Sequence, residues 1–289
     1  MVPDIDLAWR RGIRPEPPIP VSDWADRHRI LPPTSAEPGR WRTDRTPYLR
    51  AVMDTLSTAS PYERVVLMKG AQTGGSEAGL NWLGYIIQNA PGIAMLVMPS
   101  LDMVRRNTTV LIDPLIEATP ALRELVAAPR SRDAGNSLFR KSFPGGQLVM
   151  TGANSAVGLR STPVRYLFLD EVDGYPGDAD GEGDPVDLAI QRTTTFRGRR
   201  KIYMVSTPTL KGHSRIEAAF EDSDQRYFHV PCQHCGDMAP ITWARIRWPE
   251  GQRDEAYLIC DACGGVHHEH EKPRLLAAGE WRPTAPGDG

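Results

Sequence analysis

Lys69-Gly70-Ala71-Gln72-Thr73-Gly74-Gly75-Ser76 is the stretch on which the reading of this chain turns. Phosphate-binding loops follow G-x-x-x-x-G-K-[ST]. Their backbone N–H groups cradle the phosphates, the lysine neutralises the β- and γ-phosphates, and the terminal hydroxyl serves Mg2+. Here Gly74 and Ser76 keep their places, Gly75 stands where the lysine belongs, and Lys69 takes the first position. Charge has been moved rather than lost, because a flexible four-carbon lysine at the loop's start reaches back over the phosphates as a point charge. The setting fits: the apolar run Arg64-Val65-Val66-Leu67-Met68 precedes the loop, and Ser76 to Gln88 reads as a helix whose N-terminus adds its own pull on phosphate. Taken alone, a Gly-rich turn between strand and helix is equally a structural turn.

A second segment, Val164-Arg165-Tyr166-Leu167-Phe168-Leu169-Asp170-Glu171, lies further downstream. A continuous apolar run ending in two carboxylates reads as a buried parallel strand with acids at its C-terminal tip, the edge where open α/β sheets bind ligands. Beside a nucleotide loop, Asp170 is expected to hold Mg2+ and Glu171 to orient and deprotonate the attacking water. Without that loop the same residues are a strand followed by a solvated acidic turn. Lys201-Ile202-Tyr203-Met204-Val205-Ser206-Thr207-Pro208 is a third apolar run, ending in two hydroxyls and a proline. Ser206 and Thr207 then lie beside the carboxylates, where a hydroxyl senses the γ-phosphate and passes on its loss. Ser-Thr-Pro is also an ordinary strand exit.

The four cysteines occur only as Cys232-x-x-Cys235 and Cys260-x-x-Cys263, each pair followed by glycine. Two such knuckles present four thiolates to a tetrahedral Zn2+, and the glycine lets backbone N–H groups turn toward sulfur. Disulfides, the alternative, need an oxidising compartment, whereas Met1 to Pro20 carries prolines and charges where a secretory leader has an apolar core. His234, His267, His268 and His270 are spare ligands, read beside four cysteines as surface groups or neighbours of the sulfurs. A closed four-sulfur site leaves no position for substrate, so this zinc is expected to fold its module.

A chain of 289 residues with 40% apolar content can bury one large core and a small satellite. No run approaches the roughly 18 apolar residues of a membrane span. The formal charge of −2 argues against a protein that coats nucleic acid over its whole surface. It leaves local basic patches at Arg105-Arg106, Arg130 with Arg132, and Arg197-Gly198-Arg199-Arg200-Lys201. Residues 1–45, rich in proline and arginine, read as an extended arm. Residues 46–225 form the main domain, with strands expected near 64–68, 93–98, 147–151, 165–169 and 201–206 and helices such as 100–107 and 185–192. That alternation predicts a doubly wound, mainly parallel α/β sheet. Gly174 to Asp184 reads as a solvated acidic loop. Residues 226–289 hold the cysteine module and a helix near 270–278.

Together the displaced-lysine loop, the Leu-Phe-Leu-Asp-Glu strand, the Ser-Thr-Pro exit and Val230-Pro231-Cys232-Gln233-His234-Cys235-Gly236 resemble the large terminase subunit of tailed phages, lambda GpA type, from about Trp24 onward. The resemblance implies a RecA-like P-loop ATPase, using ATP, Mg2+ and Zn2+, that drives double-stranded DNA through a portal into a preformed capsid. It also implies the cytoplasm of a bacterial host, a homo-oligomeric ring, and portal protein and small terminase subunit as partners. In such a ring a modest basic face per subunit suffices, since backbone contacts add over subunits. Carried onto this chain, Lys69, Gly70, Ala71, Gln72, Thr73, Gly74, Gly75 and Ser76 bind nucleotide and Tyr48 stacks near adenine. Ser76 and Asp170 hold Mg2+, Glu171 is the base, and Ser206 and Thr207 couple. Arg160, in Gly158-Leu159-Arg160-Ser161, matches the place where the family carries an arginine supplied in trans, with Arg192 and Arg197 in reserve. Family members continue into a nuclease domain, which would begin where this chain ends, so no cleavage is expected of it.

Two other readings compete. A nucleic-acid helicase also carries an Asp-Glu strand and a Ser-Thr exit, but needs a second RecA-like domain, and the residues after Pro208 are spent largely on cysteines. A zinc-ribbon adaptor with a degenerate, non-hydrolysing loop is favoured by the displaced lysine and opposed by Glu171.

Overall fold

The computed structural model describes residues 18–126 and 136–286. Two short strands, β1 (Ile30–Leu31) and β2 (Gly39–Arg40), pair antiparallel near the N-terminus. Next come β3 (Arg64–Met68), β4 (Ile93–Met98), β5 (Asn136–Ser137), β6 (Arg140–Phe143), β7 (Gly146–Gly152), β8 (Tyr166–Asp170) and β9 (Lys201–Ser206). They form one sheet in the order β3-β9-β8-β4-β7-β6-β5. Strands β3, β9, β8, β4 and β7 are parallel, while β6 and β5 continue the sheet antiparallel. The five strands expected from sequence are all present, and the result is a mixed α/β fold with a parallel-dominated sheet.

Both faces of that sheet are covered at its centre, which is why β4, β8 and β9 are largely apolar runs. Along β8, Tyr166 and Phe168 pack with Trp82, Tyr203 and Val205 in one core, while Leu167 and Leu169 face Leu159, Ala189 and Ile216 in the other. This is the two-residue period of a strand expressed on two buried sides. Helix Gly75–Asn89 lies on the first side, and helices Ala156–Arg160, Pro185–Gln191 and Arg215–Glu221 contribute to the second.

The N-terminal arm differs from expectation over the part described. Val21–His28 is a helix, with Val21, Trp24 and Ala25 fully buried in the first core. Trp24 packs against helix Gly75–Asn89, where a Cβ on Gly84 would stand 2.1 Å from the indole, and its Nε1 donates to Gln88 Oε1 at 2.8 Å. The prolines around this segment dominate its composition. Between them Val21, Trp24 and Ala25 fall on one helical face, and Pro20 starts the helix with a preset φ. Residues 1–17 lie outside the described residues.

Beyond β9 the chain builds two small sheets. Strands β10 (Tyr227–Pro231), β11 (Met238–Pro240) and β15 (Glu280–Arg282) form one, and β12 (Ile246–Arg247), β13 (Tyr257–Ile259) and β14 (Val266–His268) the other. Val230, Leu258 and Leu275 make their core, the last from the helix Lys272–Ala277 expected near 270–278. This module docks on the main domain through Phe228, set edge-on to Tyr48 and Trp281, and through Trp281 Nε1, which donates to Tyr48 O at 2.8 Å. Among the described residues no helix is long and apolar enough to cross a membrane.

Candidate active site and cysteine centre

Strand register brings the predicted residues together. Met68 lies level with Ser206, and Asp170 with Val205, so β3, β9 and β8 end at one height. The ladder runs one step further: Lys69 N donates to Ser206 O at 3.1 Å and Glu171 N to Val205 O at 2.8 Å. Lys69, Glu171 and Thr207 therefore emerge side by side. Lys69 Nζ donates to Glu171 Oε1 at 3.1 Å and to Thr207 Oγ1 at 3.3 Å. The ammonium is nearly covered, whereas Glu171 stays partly open to solvent.

The glycine that replaces the usual lysine has a steric reason. A Cβ on residue 75 would lie 2.6 Å from Lys69 Cδ and 2.8 Å from Val205 Cγ2. Both are far inside van der Waals contact, so the stem of Lys69 occupies the space above residue 75. The missing lysine and the displaced lysine are one feature. The loop closes with Gln72 and Gly74 at φ 56° and 82°, Gly74 forming the left-handed entry to helix Gly75–Asn89. Thr73 Oγ1 donates to Gly70 O, Tyr48 Oη to Thr73 O at 3.1 Å, and Tyr203 Oη to Gly75 O at 2.9 Å. Tyr48 also borders a cleft of about 870 Å³ that reaches from the loop to Trp41, Arg42, Arg45 and Glu77.

On the other side of the loop Ser76 Oγ donates to Asp170 Oδ1 at 2.9 Å. A hydroxyl and a carboxylate oxygen, part-buried and adjacent, are the hard donors that Mg2+ takes. Burial pushes Asp170 up to about 6, and the charge of Glu171 adds to that, against the pull of the Ser76 hydroxyl and Lys69. Glu171 sits at φ 53°, ψ 54°, a left-handed backbone rare for a side-chain-bearing residue.

Arg160 ends helix Ala156–Arg160, whose N-cap Ser155 accepts from Gly158 N. Its guanidinium pairs with Glu182 at 2.5 Å, about half exposed, and Asp180 accepts from Ala156 N. The bonds at Lys69, Ser76, Asp170 and Glu171 do not include it. The acidic loop Gly174 to Asp184 is tied down by Arg215, which bonds Asp184 Oδ2 and the carbonyls of Tyr175 and Pro176. Part of the basic run 197–201 is also structural: Arg200 pairs with Glu63, and buried Lys201 donates to the carbonyls of Thr55, Ser60 and Tyr62. Arg130 and Arg132 lie outside the described residues. Sequence reasoning missed Asp173 and Thr209, which bond each other next to the turn that follows β8; the only signal was a third acid three residues after Asp170.

The four cysteines converge. Cys232 Sγ stands 3.7 Å from Cys263 Sγ, Cys235 Sγ 3.8 Å from Cys260 Sγ, and all four lie within 4.8 Å of one another. Sulfurs at about 2.3 Å from one tetrahedral ion are separated by roughly 3.8 Å, so the spacing fits a metal. The knuckles are alike: Gly236 N donates to Cys232 O and Gly264 N to Cys260 O, each at 2.8 Å, with both glycines at positive φ. His267, buried, places Nε2 3.3 Å from Cys232 Sγ and is a neighbour of the sulfur rather than a fifth ligand. Burial opposes ionisation of Cys232, but the N–H groups of Cys235 and His234, with the His267 ring, outweigh it and draw its thiol down to about 5.

Asp170 yields a prediction independent of any ligand. Its folded pKa is raised, so between 3.8 and about 6 the folded state binds more protons than the unfolded one and stability falls as pH rises. Above that window the charged form costs roughly 2–3 kcal/mol. Asp170→Asn is therefore expected to melt several degrees above the parent at pH 8, with the gap closing by pH 4, as followed by circular dichroism. An equal or lower melting temperature at pH 8 contradicts this.

Residues 35–281 match the family described as phage terminase large subunit gpA, ATPase domain. The terminase large subunit of Enterobacteria phage P21 is 27% identical over 275 residues, covering 91% of this chain and 42% of that protein. That of Escherichia phage lambda is 28% identical over 272 residues, with the same coverage of 91% and 42%. The chain thus spans under half the length of these curated relatives. Its fold is similar to that of the HK97 bacteriophage large terminase, with a TM-score of 0.54 at 13% identity over 70% of this chain and 40% of that one. With most of its length inside one family match, the chain belongs to the phage terminase large subunit gpA family and corresponds to its ATPase domain.

Proposed function

We propose that this chain is the motor region of a viral DNA-packaging terminase, a RecA-like P-loop unit that hydrolyses ATP to translocate double-stranded DNA into a procapsid. The observation that carries the reading is the Lys69–Glu171–Thr207 contact set beside the Ser76–Asp170 pair. Its similarity to the terminase large subunits of phages P21 and lambda supports it. DNA cleavage forms no part of this reading. A non-hydrolysing adaptor has no use for an acid held at the lysine of a nucleotide loop, which weighs against that alternative.

In this mechanism the N–H groups of residues 70–76 and the N-terminus of helix Gly75–Asn89 hold the phosphates, while the cleft beside Tyr48 receives the nucleoside. Ser76 and Asp170 would hold Mg2+, which would supply charge neutralisation at the β- and γ-phosphates. Lys69, bound to Glu171 and Thr207, swings its ammonium from those partners into contact with the γ-phosphate. That releases Glu171 to take a proton from the attacking water, and leaves Thr207 and Ser206 to register phosphate loss. Arg160 leaves Glu182 to serve a neighbouring subunit, where such an arginine is worth on the order of 10³–10⁵ in rate. Cys232, Cys235, Cys260 and Cys263 would hold Zn2+, which would fix the fold of their module. Portal protein and the small terminase subunit are the partners in a ring working in the bacterial host's cytoplasm.

The test is phosphate release from ATP in the presence of DNA. Glu171→Gln should bind ATP as the parent does and lose at least about 10²-fold in turnover, and Lys69→Ala should lose turnover comparably. Mixing Glu171→Gln with inactive Arg160→Ala should restore hydrolysis. Turnover by Glu171→Gln above about a tenth of the parent's rejects the base, and no recovery on mixing rejects Arg160.

For the cysteine centre, elemental analysis should find one zinc per chain. Chelation or Cys260→Ser should loosen residues 226–282 before the main domain, because binding there is folding. Absence of zinc, or a Cys260→Ser protein that keeps both metal and melting temperature, contradicts the assignment.

A further inference from the structure

The turn leaving Glu171 carries a carboxylate that the nucleotide and metal sites do not use. Asp173 lies in the single 3-10 turn Val172–Gly174, and its N–H donates to Ser206 Oγ at 3.3 Å. Its Oδ2 accepts from Thr209 N at 2.9 Å and Thr209 Oγ1 at 3.0 Å, and its Oδ1 accepts from Ile216 N at 2.9 Å. One side chain thus joins three elements: the turn after the catalytic strand, the Ser206-Thr207-Pro208-Thr209 exit of β9, and the first turn of helix Arg215–Glu221. That helix packs on β3 and β9 and runs on into β10, the first strand of the cysteine module. Its first residue, Arg215, is bound to Asp184, Tyr175 and Pro176, so the helix start is pinned twice to the chain leaving β8.

Glu171 needs such an anchor. A left-handed backbone at a side-chain-bearing residue costs about 1–2 kcal/mol and persists only where its surroundings over-determine it. Its own bonds, Glu171 N to Val205 O and Gly174 N to Glu171 O at 2.9 Å, hold that shape only while the turn stays seated against β9.

We propose that Asp173 is a positioning residue: it holds Glu171 in its working conformation and links that turn, through Thr209 and Ile216, to the helix that leads into the cysteine module. The proposal rests on the reading of Lys69–Ser76 as a nucleotide site. Lys69 grips Glu171 and Thr207 on the two strand exits that Asp173 joins, so a phosphate that takes Lys69 away loosens both at once. The helix is the next element bonded to them.

Hydrogen exchange followed by mass spectrometry, on the full chain with Mg2+ and a non-hydrolysable ATP analogue, tests this. In the parent the analogue should slow exchange at 69–76 and also change it across 215–231. Asp173→Asn should keep the response at 69–76 and an ATP KM within roughly threefold, lose the response at 215–231, and fall about tenfold in kcat. Thr209→Ala, which removes only the hydroxyl donor, should move the same way by less, and it decides the matter if Asp173→Asn melts far below the parent. An unchanged kcat with an unchanged response at 215–231, or a parent that responds at 69–76 but not at 215–231, overturns the role of Asp173. A parent with no response at 69–76 instead overturns the nucleotide site, and this proposal with it.

Discussion

The side chain of Lys69 leaves the end of β3, crosses over Gly75 and ends between Glu171 and Thr207, and most of the site follows from that path. Because the stem fills the space above residue 75, the loop cannot carry a side chain at the usual lysine position while Lys69 stays where it is. The charge is delivered by the sheet instead of the helix. It rises from the same level edge of β3, β9 and β8 as the acids and hydroxyls it meets, so its position is set by backbone register and not by a flexible turn. Preorganised charge of this kind is what phosphoryl transfer asks of a protein, since little covalent chemistry falls to the side chains.

Stability is spent at this edge. Asp170 is buried as a carboxylate with one hydroxyl donor, and Glu171 is held in a left-handed backbone. Each works against folding, and each lies beside the Lys69 loop where β8 and β9 end, the pattern expected of strain at a candidate functional site. The two-sided core around β8 and the Arg215 and Asp173 bonds beyond it supply the counterweight. The cysteine module is held separately. Its own core is three buried side chains, too few for independent stability, which explains why four sulfurs sit at metal spacing there.

Strands β4, β8 and β9 were legible because they are largely apolar runs buried on both faces, and the loop and cysteine pairs because their spacings match those of phosphate-binding loops and tetrahedral metal sites. Other features were invisible for physical reasons. Helix Val21–His28 hides among prolines, and only its docking on Gly84 shows that Trp24 belongs to the core. Gly75 reads in sequence as a lost lysine, and its steric role exists only once Lys69 is placed above it. Asp173 and Thr209 are distant in sequence and ordinary in type, so their bond required the fold. Arg160, chosen by resemblance, is paired with Glu182 within its own chain.

The transfer of Lys69 is the central claim, and a crystal structure with Mg2+ and a non-hydrolysable ATP analogue tests it most directly. Lys69 Nζ is expected within hydrogen-bonding distance of the γ-phosphate and separated from Glu171, whose carboxylate faces the attacking water. A Lys69–Glu171 contact that persists unchanged, with the γ-phosphate neutralised by other groups, would contradict it.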